Sequence, residues 1–221
     1  METVLITGAN RGIGIELVKC HISRGDKVIA VCRDSSDALD ESGAIIIRGI
    51  DMSNAESISS LRSEINAQSI SRVIANAGFR GYEDYDTLDF DSIRYQYEVN
   101  ALGPLRLVQN LDSCLTDGAK VVLISTKVAS LKDNESGGEF GYRMSKAALN
   151  MAGVNLAHAL KPRKIAVFLL HPGYVRTDLT GGDGLIDADE SAAAIVAVTD
   201  RKSLEDTGCF WHAPWDEEIP W

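Results

Sequence analysis

Tyr142 and Lys146 stand four residues apart, a spacing that on a helix stacks both side chains on one face about one turn from each other. An ammonium beside a phenol favours phenolate, so the pair could turn a hydroxyl with an ordinary pKa of about 10 into a proton donor and acceptor closer to neutral pH. The plain alternative is a packed tyrosine next to a solvated lysine. Far upstream, Thr7 to Gly14 read TGANRGIG. Gly8, Gly12 and Gly14 there permit a sharp strand-to-helix turn and let backbone approach a pyrophosphate without Cβ interference, and the helix N-terminus offers free amides to the anion. Any strand-to-helix turn can use glycine, and each motif alone is a weak signal. Together in one chain they favour catalysis on a bound dinucleotide.

The elements that must carry these residues alternate along the chain. Thr3 to Thr7 form a β-branched apolar run, followed by the glycine turn and the helical pattern of Ile15, Leu17, Val18 and Ile22. Gly25 and Asp26 break the chain before the buried strand Val28 to Val31. A strand at Ala44 to Ile47 precedes a helix at Ala55 to Ile65, with Ser53 or Asn54 as its N-cap, and a strand at Val73 to Ala75. A long helical stretch over Asp91 to Leu115, a strand at Val121 to Ser125, a helix from Gly141 to Leu160 and a strand at Ile165 to Leu170 follow. Asp187 to Thr199 reads as a further helix, and Gly208 to His212 as a final strand before an acidic tail. This order predicts a single α/β domain over residues 1–221. It is a doubly wound, Rossmann-like fold with a mostly or wholly parallel sheet, helices on both faces, and a ligand beyond the strands' carboxyl ends. Lys132 to Glu139 and Thr180 to Gly184 are expected to be the softest segments.

The chain has 221 residues, of which 45% are apolar and 6% aromatic, enough for one sizeable aliphatic core. Its 22 basic and 32 acidic residues give a net charge of −10, which disfavours a nucleic-acid partner. Cys20, Cys32, Cys114 and Cys209 form neither a metal-ligand spacing nor a disulfide framework, so no metal and a reducing cytoplasm are expected. No basic region precedes the first apolar residues, and no apolar run approaches the roughly 18 residues of a membrane span, so neither export nor a membrane partner is expected.

The segment TGANRGIG resembles the TGxxxGxG signature of the short-chain dehydrogenase/reductase family, and later segments resemble that family in order. Asn76, Ala77 and Gly78 resemble its NAG motif, Asn100 its helix asparagine, Tyr142 with Lys146 its YxxxK pair, and Pro172 with Gly173 its PG motif. The segments ISTKVAS, GYRMSKAALNMA, HPGYVRTDL and IPW are most similar to C-factor and sniffer-like carbonyl reductases. The resemblance implies that Tyr142 is the acid/base and that Lys146 tunes it and binds the nicotinamide ribose. Asn100 would support a proton relay, or simply pin a helix bend before Gly103 and Pro104. Thr126 falls where relatives carry the serine that polarises the substrate oxygen. Ser125 is the neighbouring alternative, although successive strand side chains point to opposite faces; Ser130 is a weaker candidate read as a loop cap. His171 is read as packing.

The resemblance also assigns cofactor contacts to Gly8, Asn10, Arg11, Gly12, Ile13, Gly14, Asn76, Ala77 and Gly78, and to Asp51 and Met52 at the adenine. Pro172, Gly173, Val175 and Thr177 would serve the nicotinamide end. The acidic ribose ligand of NAD-preferring members falls on Cys32, with Arg33 next to it, so NADP(H) is expected over NAD(H), with Arg11 as a second cation and Asp34 as a partial neutraliser. Solvated roles for Arg11 and Arg33, and a turn role for Asp51, are the plain alternatives. The glycines between Asp178 and Asp187 are expected to leave a mobile segment over a shallow, permissive site. The implied activity is hydride transfer between NADPH and the carbonyl of a small aldehyde, ketone or quinone, or the reverse oxidation, in a homodimer or homotetramer. A C-factor-like signalling or NADPH-sensing protein with little turnover is the alternative, and an oligomerisation protein with a vestigial pocket a further one.

Overall fold

The computed structural model describes residues 1–65 and 69–221. Strand β1 (Thr3–Thr7) is buried from Val4 onward, and β2 (Lys27–Val31) from Val28 onward, as expected of aliphatic runs covered on both faces. Helix α1 (Gly12–Ser23) joins them. A short helix α2 (Asp37–Asp40), for which the sequence carries no periodic signal, leads to β3 (Ile45–Ile47); α3 (Ala55–Ile65) then leads to β4 (Ile70–Ala75). Asn54 is the residue whose side chain accepts a first-turn amide of α3, from Ser57 at 3.0 Å.

The expected helix over Asp91 to Leu115 is instead three pieces: α4 (Phe90–Tyr97), a π turn at Glu98–Leu102 and α5 (Gly103–Leu111). Pro104 has no amide to continue the ladder, and a Cβ on Gly103 would stand 2.5 Å from the Met52 carbonyl oxygen. Leu115 already belongs to β5 (Leu115–Ile124), six residues longer at its start than its apolar stretch implies, because Leu115 pairs with Ile70 and Lys120 with Arg72 at the start of β4, across a register shift. Helix α6 (Phe140–Leu160), strand β6 (Ala166–His171), helix α7 (Ala188–Arg201) and strand β7 (Phe210–His212) follow.

The sheet runs β3-β2-β1-β4-β5-β6-β7 in parallel, and an antiparallel β8 (Glu217–Glu218) closes the edge. That last hairpin lies in the acidic tail. It is fixed by Trp221, which stacks on Phe210 with ring centroids 5.5 Å apart and accepts the Lys132 amide through its carbonyl. Side chains alternate across the sheet, so Leu5 packs with Ile58, Leu107 and Leu149 of α3, α5 and α6, while Val4 and Ile6 pack with Leu17 of α1 and Ile195 of α7. The order reverses between β1 and β4, which opens a crevice at their carboxyl ends. Among the described residues, no helix is long and apolar enough to cross a membrane.

Candidate active site

At that switch point lies a cleft of about 930 Å³, lined at one end by the glycine turn and at the other by Tyr142 and Lys146. Gly8 and Gly12 hold φ of +63° and +52°, in the left-handed region, and a Cβ on Gly8 would stand 2.9 Å from Ala77 Cα. Arg11 begins α1 without a side-chain cap, leaving first-turn amides open to an anion, and Asn10, Gly12 and Ile13 share the cleft wall. Gly14 is not on the wall: a Cβ there would collide with the Gly8 carbonyl oxygen, so it keeps the helix close under the turn. These features fit a dinucleotide pyrophosphate.

Thr7 and Asn76 lock the two sides of the switch point. The Thr7 hydroxyl accepts the amides of Asn76 (3.1 Å) and Ala77 (3.2 Å), while Asn76 Nδ2 donates to the carbonyls of Thr7 (3.1 Å) and Gly8 (3.2 Å). Asn76 therefore shapes the cleft by holding β1 to β4, and Ala77 and Gly78 continue its wall. Asp51 also lines the cleft, but its carboxylate accepts both the amide and the hydroxyl of Ser53 at 2.8 Å, the turn arrangement that its type alone implies. Met52 is buried beside it.

The two cations stand at the nucleotide end. Arg33, exposed past β2, lines the cleft and reaches Tyr95 Oη at 3.4 Å; among the described residues it forms no pair with Asp34. Cys32 next to it is buried, which pushes its thiol up. Arg11 spans the cleft to Asp178 at 2.9 Å, with both side chains largely exposed.

At the reacting end, burial pushes the Tyr142 phenol up to about 12; the Arg80 guanidinium and a hydrogen bond with Thr126 pull it down, while Glu139 and Tyr82 oppose them. Burial pushes Lys146 down to about 8, and its ammonium donates to the Ile124 carbonyl at 2.7 Å. The charged groups that act most strongly on the phenol are Arg80 and Glu139. Ser125 contributes to the wall, yet its hydroxyl donates to Asn150 Oδ1 at 2.6 Å, turned away from the phenol that Thr126 meets. Ser130 accepts the Asp133 amide at 3.1 Å, a loop cap. Asn100, wholly buried in the π turn, donates to the Phe79 carbonyl (2.7 Å) and Ser145 Oγ (3.0 Å) and accepts the Phe79 amide (2.9 Å). Its amide pins the loop after β4 to α6 from behind the cleft. His171 meets His212 edge to face with centroids 4.6 Å apart, and burial, the facing His212 and Lys127 hold it down at about 3, a neutral packing group.

Beyond β6, Pro172 and Thr177 line the cleft, and Gly173 adopts φ +94° under Ile186 and Pro214. Val175 is buried, its carbonyl accepting Thr180 Oγ1 at 2.8 Å, and the Thr177 side chain lies against Gly12. The segment expected to be mobile is tied down. Leu185 donates to Tyr174 (2.7 Å), Arg176 binds Asp187 (2.7 Å) and the Gly184 carbonyl (2.8 Å), and Tyr82 Oη donates to the Leu179 carbonyl (3.2 Å). Gly184 is there because a Cβ would collide with the Arg176 amide, a close approach rather than a hinge. Lys132 to Glu139 is similarly held, with Arg143 donating to Asn134 (3.0 Å) and Ser136 (2.8 Å). Sequence reasoning missed Arg80, Tyr82 and Glu139, since no motif spacing marks them.

A doubly wound sheet whose glycine turn and Tyr–Lys helix open on one cleft defines a dinucleotide-binding oxidoreductase architecture. Residues 2–184 match the family model for short chain dehydrogenase, and the chain belongs to that family of oxidoreductases. It is 37% identical over 219 residues to 1-hydroxy-2-glutathionyl-2-methyl-3-butene dehydrogenase of Rhodococcus sp., covering 96% of this chain and 97% of that one. It is 36% identical over 152 residues to the C-signal of Myxococcus xanthus, covering 67% of this chain and 91% of that one. The NADPH-bound carbonyl reductase from chicken fatty liver superposes with a TM-score of 0.90 at 26% identity, covering 100% of this chain and 99% of that one. The likeness to C-factor and carbonyl-reductase members read in the sequence agrees with these matches.

Proposed function

We propose that the chain transfers hydride between NADPH and the carbonyl carbon of a small aldehyde, ketone or quinone, or runs the corresponding alcohol oxidation, with Tyr142 as acid/base. One observation carries this reading: Tyr142 and Lys146 open on the same cleft as the glycine turn. The nicotinamide supplies or accepts the hydride. Tyr142 gives its proton to the substrate oxygen as charge develops there, and takes it back in the oxidation direction. Thr126, at the end of β5 and acting on the phenol, is assigned to polarise the same oxygen. Lys146, one turn along α6 with its ammonium inside the cleft, is assigned to the nicotinamide ribose and to supporting the phenolate. Asn100 holds the loop and helix between which a proton would leave.

NADP(H) over NAD(H) rests on Arg33 and Arg11 at the nucleotide end, and on the structural neighbour crystallised with NADPH. Gly8, Asn10, Gly12, Ile13, Gly14, Asp51, Met52, Asn76, Ala77, Gly78, Pro172, Gly173, Val175 and Thr177 are assigned the rest of the proposed seat. A homodimer or homotetramer through α4 and α6 belongs to the same reading, supported by the exposed Phe90, Met144 and Met151 on those helices. So does a cytoplasmic setting, supported by four unpaired cysteines.

The test is thermal stabilisation by NADPH and NADH, then turnover against aldehydes, ketones, quinones and a glutathionyl alcohol of the kind named for the Rhodococcus relative, for wild type and Tyr142→Phe. The expected result is preferential stabilisation by NADPH and a fall of about a thousandfold in kcat for Tyr142→Phe with cofactor binding kept. The C-signal relative favours a second reading, a cofactor-sensing or signalling protein. Stabilisation by NADPH with no turnover above that of Tyr142→Phe would establish it instead.

A further inference from the structure

The loop after β4 and the start of α6 meet in an ion pair at the rim of the reacting end. Arg80 Nε donates to Glu139 Oε1 at 2.9 Å, and Nη2 donates to the same oxygen. Both side chains are four-fifths buried. The guanidinium carbon lies 4.8 Å from the Tyr82 ring centroid and 5.7 Å from that of Tyr142, and all three residues line the cleft. Glu139 is three residues before Tyr142 and holds φ +48°, ψ 49°, a left-handed conformation unfavourable for a residue with a Cβ, directly after Gly137 and Gly138. A glycine would satisfy that backbone without strain, so what the chain keeps there is the carboxylate.

We propose that Arg80 and Glu139 form a charge couple that sets how readily the Tyr142 hydroxyl gives up its proton, the guanidinium favouring phenolate and the carboxylate resisting it, with Arg80 as a positioning residue on the substrate side. This rests on the reading of Tyr142 as the proton carrier. The groups that act most strongly on the phenol are Arg80 and Tyr82 from the loop after β4, Glu139 from the start of α6 and Thr126 from the end of β5, with the Arg80 guanidinium over its ring. Lys146, on α6 itself, spends a hydrogen bond on the Ile124 carbonyl. In a buried site two opposite charges held by one contact act on the phenol with opposite signs, and their sum depends on which is nearer.

A purely structural staple and a charge couple predict different signs. For the couple, Arg80→Gln raises the pH at which alcohol oxidation reaches half its maximal rate by about one unit, equivalent to tenfold in phenolate at fixed pH. Glu139→Gln lowers it, by about half a unit, because the freed guanidinium then acts unopposed. Arg80→Lys, which keeps the charge, stays close to wild type, and Arg80→Gln with Glu139→Gln together fall between the two single variants. A staple would loosen in both single variants and move the titration of the phenol itself the same way in both, or in neither, and either result would overturn the couple. The same ordering is read without turnover from the NMR shift of labelled tyrosine Cζ, assigned by its loss in Tyr142→Phe. If the NMR titrations move apart while the kinetic profiles do not, the couple stands and Tyr142 is not the proton carrier.

Discussion

The two ends of the cleft are built by different means. At the nucleotide end the wall is backbone: Gly8 and Gly12 stand in left-handed conformations, backed by Gly14 beneath the Gly8 carbonyl and tied to β4 by the Asn76 amide. Its parts are neighbours in sequence or adjacent strands. At the reacting end the wall is held by side chains from distant segments. Arg80 and Glu139 are 59 positions apart, and Tyr82 and Leu179 are 97 apart. A backbone wall tolerates no added atom, whereas a side-chain wall can be retuned one charge at a time.

The difference is broken most severely at Gly14. Gly14→Ala forces a methyl group onto a main-chain oxygen that cannot rotate away, so we expect a loss of about 2–3 kcal/mol in unfolding free energy together with loss of NADPH stabilisation. Chemical denaturation with and without NADPH measures both. Retention of full cofactor binding would show that the nucleotide wall is softer than its packing implies.

Lys146 sharpens the comparison from the other end. Its folded pKa of about 8 lies below the unfolded value of about 10.4, so in cofactor-free protein the unfolded chain binds more protons between these two pH values. The stability contribution of Lys146 therefore rises with pH across that window, being most unfavourable below about 8 and relieved by about 10.4. Wild type should gain up to about 3 kcal/mol relative to Lys146→Met between these limits. A flat difference between the two proteins would mean that the ammonium is solvated. Turnover by Lys146→Met should be lost at every pH.

These cases show which parts of the site were legible. The glycine turn and the Tyr142–Lys146 pair are governed by local rules, a turn that excludes Cβ and a helical repeat, so type and spacing suffice to place them. The parallel sheet was equally legible from alternating aliphatic runs. The break in the helix after Tyr97 was not: Asn100 has helical neighbours on both sides, and its reason for sitting in a π turn is the Phe79 backbone it clamps. Nor was the fixing of 178–187, where Gly184 serves close contact with the Arg176 amide, while Gly181 and Gly182 stand in open space in left-handed turns. Arg80 and Glu139 obey no spacing rule at all, since only the folded chain brings the loop after β4 to the start of α6.

Arg33 tests whether the nucleotide end reads phosphate with a side chain despite its backbone construction. Arg33→Ala should weaken NADPH about tenfold while leaving NADH within about twofold, a difference near 1.4 kcal/mol in the titrated affinities. Equal losses would show that Arg33, which reaches Tyr95 in the protein alone, packs on the cleft edge without contacting the added phosphate.

The smallest effect is expected where the two ends touch, at the exposed Arg11–Asp178 pair. Solvent screens such a pair and ordering two exposed side chains offsets much of the attraction, so Asp178→Asn should leave the unfolding transition unmoved. Its effect on cofactor affinity decides what the contact does. If Asp178 merely occupies a cation that a phosphate would otherwise take, its neutralisation frees Arg11 and NADPH binds a few-fold tighter, with the gain lost in Arg11→Ala and shrinking as salt is raised. If instead the pair clasps the glycine loop to the turn after β6 over a bound cofactor, NADPH and NADH weaken together, and restoring the pair with charges exchanged, Arg11→Asp with Asp178→Arg, recovers NADH. The first outcome is expected, because the carboxylate now holds the one cation that the glycine loop presents to its ligand.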